Sequence, residues 1–335
     1  MLTAFVLKDG RLEQTQITSK QDLSMDMIWI DMVDPDESER LLIEEYYKFE
    51  LPEKTDIKDI EASARFYEDE DGIHIHSFFL NDFDDNANNI TVAFSIYGGR
   101  LFTLHDQDLT AFRLYRMRAR RLNSGDKESV SDVMDILLGL HETSIEHVAD
   151  ILEGIYSKLE TVSQQVLRRQ SKVPETESGK VPLTKSSQDM AFALSEIAIQ
   201  EDINGKARLS LMDTRRSLSF LLRGKLLTLE QTEDVKEIMR DIESLTSHTS
   251  FLFDKVNFLL DASMGMISLE QSKIIKIFSI ASVVFLPPTV VASVYGMNFE
   301  IMPELKWQYG YIFALALLVL SGVTPYLFFK RKGWL

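Results

Sequence analysis

Five hydroxyl side chains, Ser272, Ser279, Ser282, Thr289 and Ser293, recur at steps of 7, 3, 7 and 4 through an otherwise apolar stretch. Those steps return to one face of an α-helix. Ile275, Phe278 and Leu286 fall on the same stripe and interrupt it. With no carboxylate among them, these hydroxyls are poor candidates for stripping a dication of its water, and Mg²⁺ dehydrates reluctantly. Rings of hydroxyls alternating with bulky apolar rings describe a water-filled conduit with hydrophobic constrictions. Small hydroxyl residues equally mediate packing between membrane helices, and spacing alone leaves the two readings level. The stretch ends at Tyr295-Gly296-Met297-Asn298. There the Asn and Gly carbonyls can hydrogen-bond to a hydrated ion without replacing its shell. Pro287-Pro288 lies inside it and is expected to kink or locally unwind the helix.

Other residues with chemical potential are few. His74 and His76 stand two apart on one expected strand, so both face the same side. Without a third ligand at a diagnostic spacing, that pair reads as structural rather than as a metal site. No phosphate loop, nucleophile elbow or His-Glu metal motif is present, so the chain is not read as an enzyme. Cysteine is absent, which removes disulfides and thiolate metal sites.

The hydroxyl stripe needs an element to carry it. Ile277–Asn298 and Gln308–Phe329 are uncharged apolar runs of about 20 residues, enough to cross a bilayer as helices. The short link between them makes a tight hairpin with both ends on one side. One hairpin cannot enclose a polar path, so transport requires several copies around an axis. No charged residue lies inside either span, which favours passive conduction over a proton-driven or voltage-sensing device.

Charge divides the chain in two. The formal net charge is −16. The segment from Lys273 onward is basic, with Lys273 and Lys276 before the first span and Lys330-Arg331-Lys332 after the second. The remainder is strongly acidic, which disfavours nucleic acid as a partner and suits divalent cations. By the positive-inside rule both termini are cytoplasmic, with Phe299–Trp307 outside. Residues Met1–Phe5 carry no signal-peptide pattern, so the soluble part is expected to stay in the cytoplasm.

Along the chain, residues 1–125 read as a mixed α/β domain, with strands at Ala4–Leu7, Ile28–Val33, Arg65–Glu68, Gly72–Leu80, Ile90–Tyr97 and Arg100–Leu104. A helix is expected after Asp34 as N-cap, with Pro35 first. Residues 126–228 read as a helical hairpin with a flexible loop at 171–188, rich in Ser, Thr, Pro and Gly. A stalk helix is expected over 229–298, more than about 60 Å at 1.5 Å per residue. It continues into the first span at about 277–297, with Gly265 its one weak point. The loop 299–307, a second span over 308–329 and a basic tail 330–335 follow. The fold class is thus an α+β cytosolic domain with long stalk helices and two C-terminal membrane helices.

Tyr295-Gly296-Met297-Asn298, leading into Met302-Pro303-Glu304-Leu305 between the only two spans, resembles the CorA family of magnesium and cobalt channels. The resemblance covers the whole chain, including Trp29-Ile30-Asp31, Asp59–Phe66, His74–Phe79, Phe112–Arg120 and the closing Lys330–Leu335, and is to the enterobacterial branch. It implies a funnel-shaped homopentamer in the bacterial inner membrane, with five first spans lining a pore for hydrated Mg²⁺, Co²⁺ and Ni²⁺. Gly296, Met297 and Asn298 would form the outer selectivity filter, with Glu300 and Glu304 in the external loop. Thr289 would be a second polar ring, and Ile275, Phe278 and Leu286 the hydrophobic gate. Mg²⁺ is implied as both cargo and regulatory ion, with no organic cofactor. The regulatory candidates are Asp241 on the stalk and Asp82, Asp84 or Asp85 on a neighbouring subunit. Ser272 stands where family members often have Asn. A zinc transporter of the same superfamily and a non-conducting Mg²⁺ sensor are the alternatives.

Overall fold

The computed structural model describes residues 1–53, 65–70, 72–83, 86–120, 130–171, 183–297 and 302–333. It divides into two compact units, one of residues 1–180 and 191–260, the other of residues 181–190 and 261–335.

The first unit is built on a seven-stranded sheet. Its strands are β1 (Leu2–Lys8), β2 (Arg11–Ile17), β3 (Met27–Val33), β4 (Phe66–Asp69), β5 (Gly72–Phe83), β6 (Asn86–Tyr97) and β7 (Arg100–His105). The order is β2-β1-β3-β7-β6-β5-β4, and β3–β7 is the one parallel pair. Both tight hairpins have positive φ at their two central residues, Asp9-Gly10 and Gly98-Gly99, the conformation that matches the twist of the flanking strands. β2 is an addition to the strands expected from sequence. It is an edge strand with mostly exposed, polar side chains, so it lacks the alternation that marks a half-buried strand.

One sheet face carries Leu2, Ala4, Ile30, Met32 and Phe102, packed with Ile43 and Tyr47 of helix α1 (Glu37–Tyr47). The other carries Phe5, Trp29, Phe79 and Phe94. Phe5 stacks on Trp29 at 4.2 Å, and Phe112 and Tyr115 of α2 (Thr110–Ala119) close over Trp29. His141 of α3 (Val133–Ser171) covers Phe79 and Phe94. Each of these large buried side chains contributes about 1.5–3 kcal/mol relative to exposure.

Helix α1 begins later than its sequence suggests. Asp36, not Asp34, is the N-cap: its Oδ1 accepts from the Glu39 amide at 2.8 Å, and Glu39 reaches back to the Asp36 amide at 3.2 Å. This reciprocal box satisfies two orphan donors at once. Asp34 instead takes a left-handed φ of 39° and donates its amide to the His105 carbonyl.

Helix α4 (Leu183–Gly224) starts at Leu183, so residues 183–188 of the expected loop belong to a helix, while 172–182 lie outside the described residues. Helix α5 runs from Leu229 to Tyr295 over 67 residues, through Gly265 and through Pro287 and Pro288. Within the first unit, the Asn204 side chain of α4 donates to the Thr249 carbonyl of α5, and Lys255 of α5 pairs with Glu160 of α3 at 3.0 Å.

The second unit pairs the C-terminal part of α5 with α6 (Gly310–Arg331), joined in sequence through a short 3-10 turn, Pro303–Lys306. Both helices are long and apolar enough to cross a membrane, and their most apolar stretches are almost wholly exposed. A core helix of a soluble protein would be buried instead. The double proline does not break α5: of the expected kink or local unwinding, the unwinding is not seen. Prolines at 287 and 288 leave the Val283 and Val284 carbonyls without their usual amide donors. Val284 O abuts Gly322 of α6, and a Cβ there would lie 3.1 Å from the Pro288 ring, so glycine is what lets the helices approach at this level.

Candidate permeation surface

Along α5, Ser272, Ile275, Phe278, Ser279, Ser282, Leu286, Thr289 and Ser293 are all exposed. Partly or fully buried positions on the same stretch are Ile280, Ala281, Val284, Pro287, Pro288, Val291 and Tyr295. At 100° per residue the two sets fall on roughly opposite sides of the helix. Ile280 is 7% exposed and Phe278, on the stripe, 71%. The face packed on the chain's own second span is the aliphatic and proline face. The hydroxyls point away from it.

The hydroxyls are also oriented chemically. Ser272 Oγ donates to Ser268 O at 2.9 Å, Ser282 Oγ to Phe278 O at 2.9 Å, and Thr289 Oγ1 to Phe285 O at 2.7 Å. With the proton committed to the backbone, each oxygen offers lone pairs outward. Waters held by a cation present their hydrogens outward, so a line of acceptors suits a hydrated ion.

Helix α5 closes where Gly296 N donates to Ala292 O and Met297 N to Val294 O. The negative end of the helix dipole and its last carbonyls therefore lie at Gly296 and Met297, which favours a cation there. Met297 is exposed. Asn298 and Glu300 lie outside the described residues, and of Glu304 only its place in the Pro303–Lys306 turn is described. Trp307, Tyr309 and Tyr311 are exposed just beyond, with Trp307 against Phe313 at 5.9 Å. These are aromatic anchors of the kind found at a membrane surface. At the other end, Lys330 and Arg331 occupy the last turn of α6.

The regulatory candidates sit in the first unit. Asp241 is exposed on α5, Asp82 is exposed near the end of β5, and Asp84 and Asp85 lie outside the described residues. Among the described residues no three His, Asp or Glu side chains are grouped to hold a metal ion. His74 and His76 are buried in the sheet, His74 between Ser95 Oγ at 3.0 Å and Asp69 Oδ1 at 3.2 Å.

Two features were not found from sequence. Burial raises the Asp234 carboxyl, and Glu230, Asp135 and Glu237 raise it further. The 230/234/237 spacing on one helix face was the available signal. The second is a buried ionic network around Asp31. Its carboxylate accepts from Thr103 Oγ1 at 2.7 Å and Arg116 Nη1 at 2.8 Å, and lies 2.9 Å from His105 Nε2. Burial alone would raise this carboxyl; His105 and Arg116 hold it below the usual range. The network forms only once β3 pairs with β7, so no local spacing announces it.

The sequence model of the CorA-like Mg²⁺ transporter family matches residues 24–331. The chain is 50% identical over 336 residues to the magnesium transport protein CorA of Yersinia pseudotuberculosis, and 51% identical to that of Salmonella typhimurium, each alignment covering both chains fully. Among solved structures, the CorA magnesium transporter of Methanocaldococcus jannaschii superposes with a TM-score of 0.74 at 19% identity, over 100% of this chain and 99% of that one. A membrane hairpin whose hydroxyl face is turned outward, a seven-stranded soluble unit and full-length likeness agree, and the chain belongs to the CorA-like Mg²⁺ transporter family.

Proposed function

We propose that this chain is a passive channel for hydrated Mg²⁺, also passing Co²⁺ and Ni²⁺, that works as a homopentamer in the bacterial inner membrane with both termini cytoplasmic. The observation that carries the reading is the hydroxyl stripe of α5, exposed and opposite the face packed on α6. Five such faces around an axis would enclose a lumen. Asn298 and Gly296 at its outer mouth would read the outer-shell waters, with Thr289 and Ser282 as acceptor rings below them. Phe278, Leu286 and Ile275 would form constrictions that close by dewetting.

The soluble unit senses cytosolic Mg²⁺. Mg²⁺ between subunits, held by Asp241 and by Asp82, Asp84 or Asp85, keeps like charges together when the ion is plentiful. Its loss lets them repel, and α5, which continues from the soluble unit into the span, conveys the change to the constrictions.

The test is ion flux into proteoliposomes with and without internal Mg²⁺, using Mg²⁺, Co²⁺ and Zn²⁺ in one preparation. Uptake of Mg²⁺ and Co²⁺ that internal Mg²⁺ suppresses supports the channel. Flux confined to Zn²⁺ would identify a zinc transporter, and no flux at all a membrane-anchored sensor.

A further inference from the structure

Strand β5 has a strand neighbour along only part of its outer edge. β4 pairs with residues 72–75, and beyond them helix α4 takes the place of a strand. Asp213 accepts the Phe78 amide at 2.7 Å, and Ser210 Oγ donates to the Phe78 carbonyl at 2.9 Å. Nearer the end of the β5–β6 hairpin, Lys206 Nζ donates to the Ala87 carbonyl at 2.9 Å and to Asn88 Oδ1 at 3.1 Å, and Asn89 Nδ2 donates to the Lys206 carbonyl at 2.9 Å. Ala87 stands directly opposite Asp82 in the strand register. Helix α4 therefore grips the end of the sheet that carries Asp82. Two residues away, about 3 Å along the helix axis, the same helix meets the stalk, where Asn204 Nδ2 donates to the Thr249 carbonyl of α5 at 3.0 Å.

Asn204 is an unusual residue for that seam. It is 3% exposed and Thr249 1%, and a turn away on the buried side of each helix the residues are apolar: Ala207 and Leu211 on α4, Leu252 and Val256 on α5. Asn204 Oδ1 has no hydrogen-bond partner, and a buried acceptor left unmet is costly. Thr249 carries a donor of its own, a hydroxyl now given to the Thr246 carbonyl at 2.7 Å. Turned toward Asn204, that hydroxyl would meet Oδ1 instead. The same two residues thus supply two hydrogen-bonding arrangements, and a packed joint with two discrete arrangements can pass a shift from one element to another. We infer that Asn204 is a positioning residue for gating: α4 takes up movement of the β5–β6 end, and the Asn204–Thr249 joint passes it to the stalk helix α5. The inference rests on the reading of Asp82, Asp84 or Asp85 as Mg²⁺ ligands, and it adds the route within one subunit by which their occupancy reaches α5.

The experiment is hydrogen–deuterium exchange of the full-length protein in proteoliposomes, with and without millimolar Mg²⁺, in the wild type, Asn204→Leu and Thr249→Val, beside the suppression of flux by internal Mg²⁺. In the wild type, Mg²⁺ should slow exchange both in β6 near Ala87 and in α5 around Thr249. In both variants the slowing near Ala87 should remain, while the slowing around Thr249 and the suppression of flux fall at least about threefold. Asn204→Leu exchanges a half-met polar group for an apolar one of similar size, so thermal stability should be held or raised. A merely structural Asn204 would instead lower stability and leave the Mg²⁺ response of α5 intact. Thr249→Val removes only the hydroxyl and keeps the carbonyl that Asn204 meets, so it decides the matter if Asn204→Leu fails to fold. Full slowing around Thr249 in either variant would overturn the joint. No Mg²⁺ effect near Ala87 in the wild type would instead overturn the sensor reading, and the route with it.

Discussion

The two units treat polar atoms in opposite ways. In the soluble unit, charge is taken inside and answered there. Arg65 and Asp213 are both nearly fully buried and meet at 2.9 Å, and Asp213 also accepts the Phe78 amide at 2.7 Å. Even so, burial dominates, and the Asp213 carboxyl is raised above its ordinary value. Asp31, with stronger company, is lowered. In the membrane unit no ionisable side chain enters either apolar run except the tyrosines, and the stripe hydroxyls of Ser272, Ser282 and Thr289 are satisfied by their own helix. Polar groups in the first unit therefore hold the fold together, because leaving one member of a buried pair alone is costly. The stripe hydroxyls of the second are turned away from α6 and free to face something else. Mutations should divide accordingly into those that cost folding and those that cost conduction.

The largest effect is expected from Asp31→Asn, which leaves Arg116 and His105 facing an uncharged amide in the interior. It should destabilise the soluble unit by about 3–5 kcal/mol, read as loss of the buried-Trp29 emission at lower denaturant. A paired test uses pH. Burial pushes His141 down to about 3 from an ordinary 6.5. A histidine depressed in the folded state is protonated first in the unfolded chain, so stability is full above 6.5 and falls as pH drops from there toward 3. The slope approaches about 1.4 kcal/mol per pH unit. His141→Leu should flatten that slope in denaturant titrations. Asp31 acts in a lower window: its contribution is present above 3.8 and is lost as pH falls below that through its depressed folded value.

On the membrane side the expected losses are in flux, not folding. Asn298→Ala should cut Mg²⁺ flux by at least about tenfold while the assembly remains intact by native mass spectrometry, since the proposed channel reads its ion with a ring of Asn298 amides at the outer mouth. Retention of normal flux would remove Asn298 from the filter. The smallest change is expected from Gly322→Ala. The added methyl meets the Pro288 ring at 3.1 Å, so one helix must shift by a few tenths of an ångström. Flux should change about two- to threefold through altered packing of α5, with little change in thermal stability.

Legibility from sequence also differed between the units. The two spans and the one-sided stripe are local patterns in a stretch where one medium, lipid, imposes one rule, so composition and a period of 3.6 suffice. The sheet's central strands were legible because apolar residues alternate or run together. β2 was not, because an exposed edge strand buries little. The Asp31 network and the contact of Lys206 with Ala87 are pairings of residues more than 60 positions apart, which only the folded topology brings together. Pro287 and Pro288 remove two amides, yet α5 stays helical through both, so a double proline alone does not announce an unwound turn.

The chain has no native cysteine, so the central claim, that the hydroxyl face of α5 lines a water-filled path, can be tested one position at a time. Single cysteines placed from Ser279 to Ser293 in the assembled protein in membranes, with Mg²⁺ removed, are treated with a charged, water-soluble thiol reagent. Labelling, and block of flux, is expected at Ser279, Ser282, Leu286, Thr289 and Ser293, and protection at Ala281, Val284, Pro288 and Val291. Equal labelling around the helix, or labelling confined to the Val284–Val291 face, would contradict it.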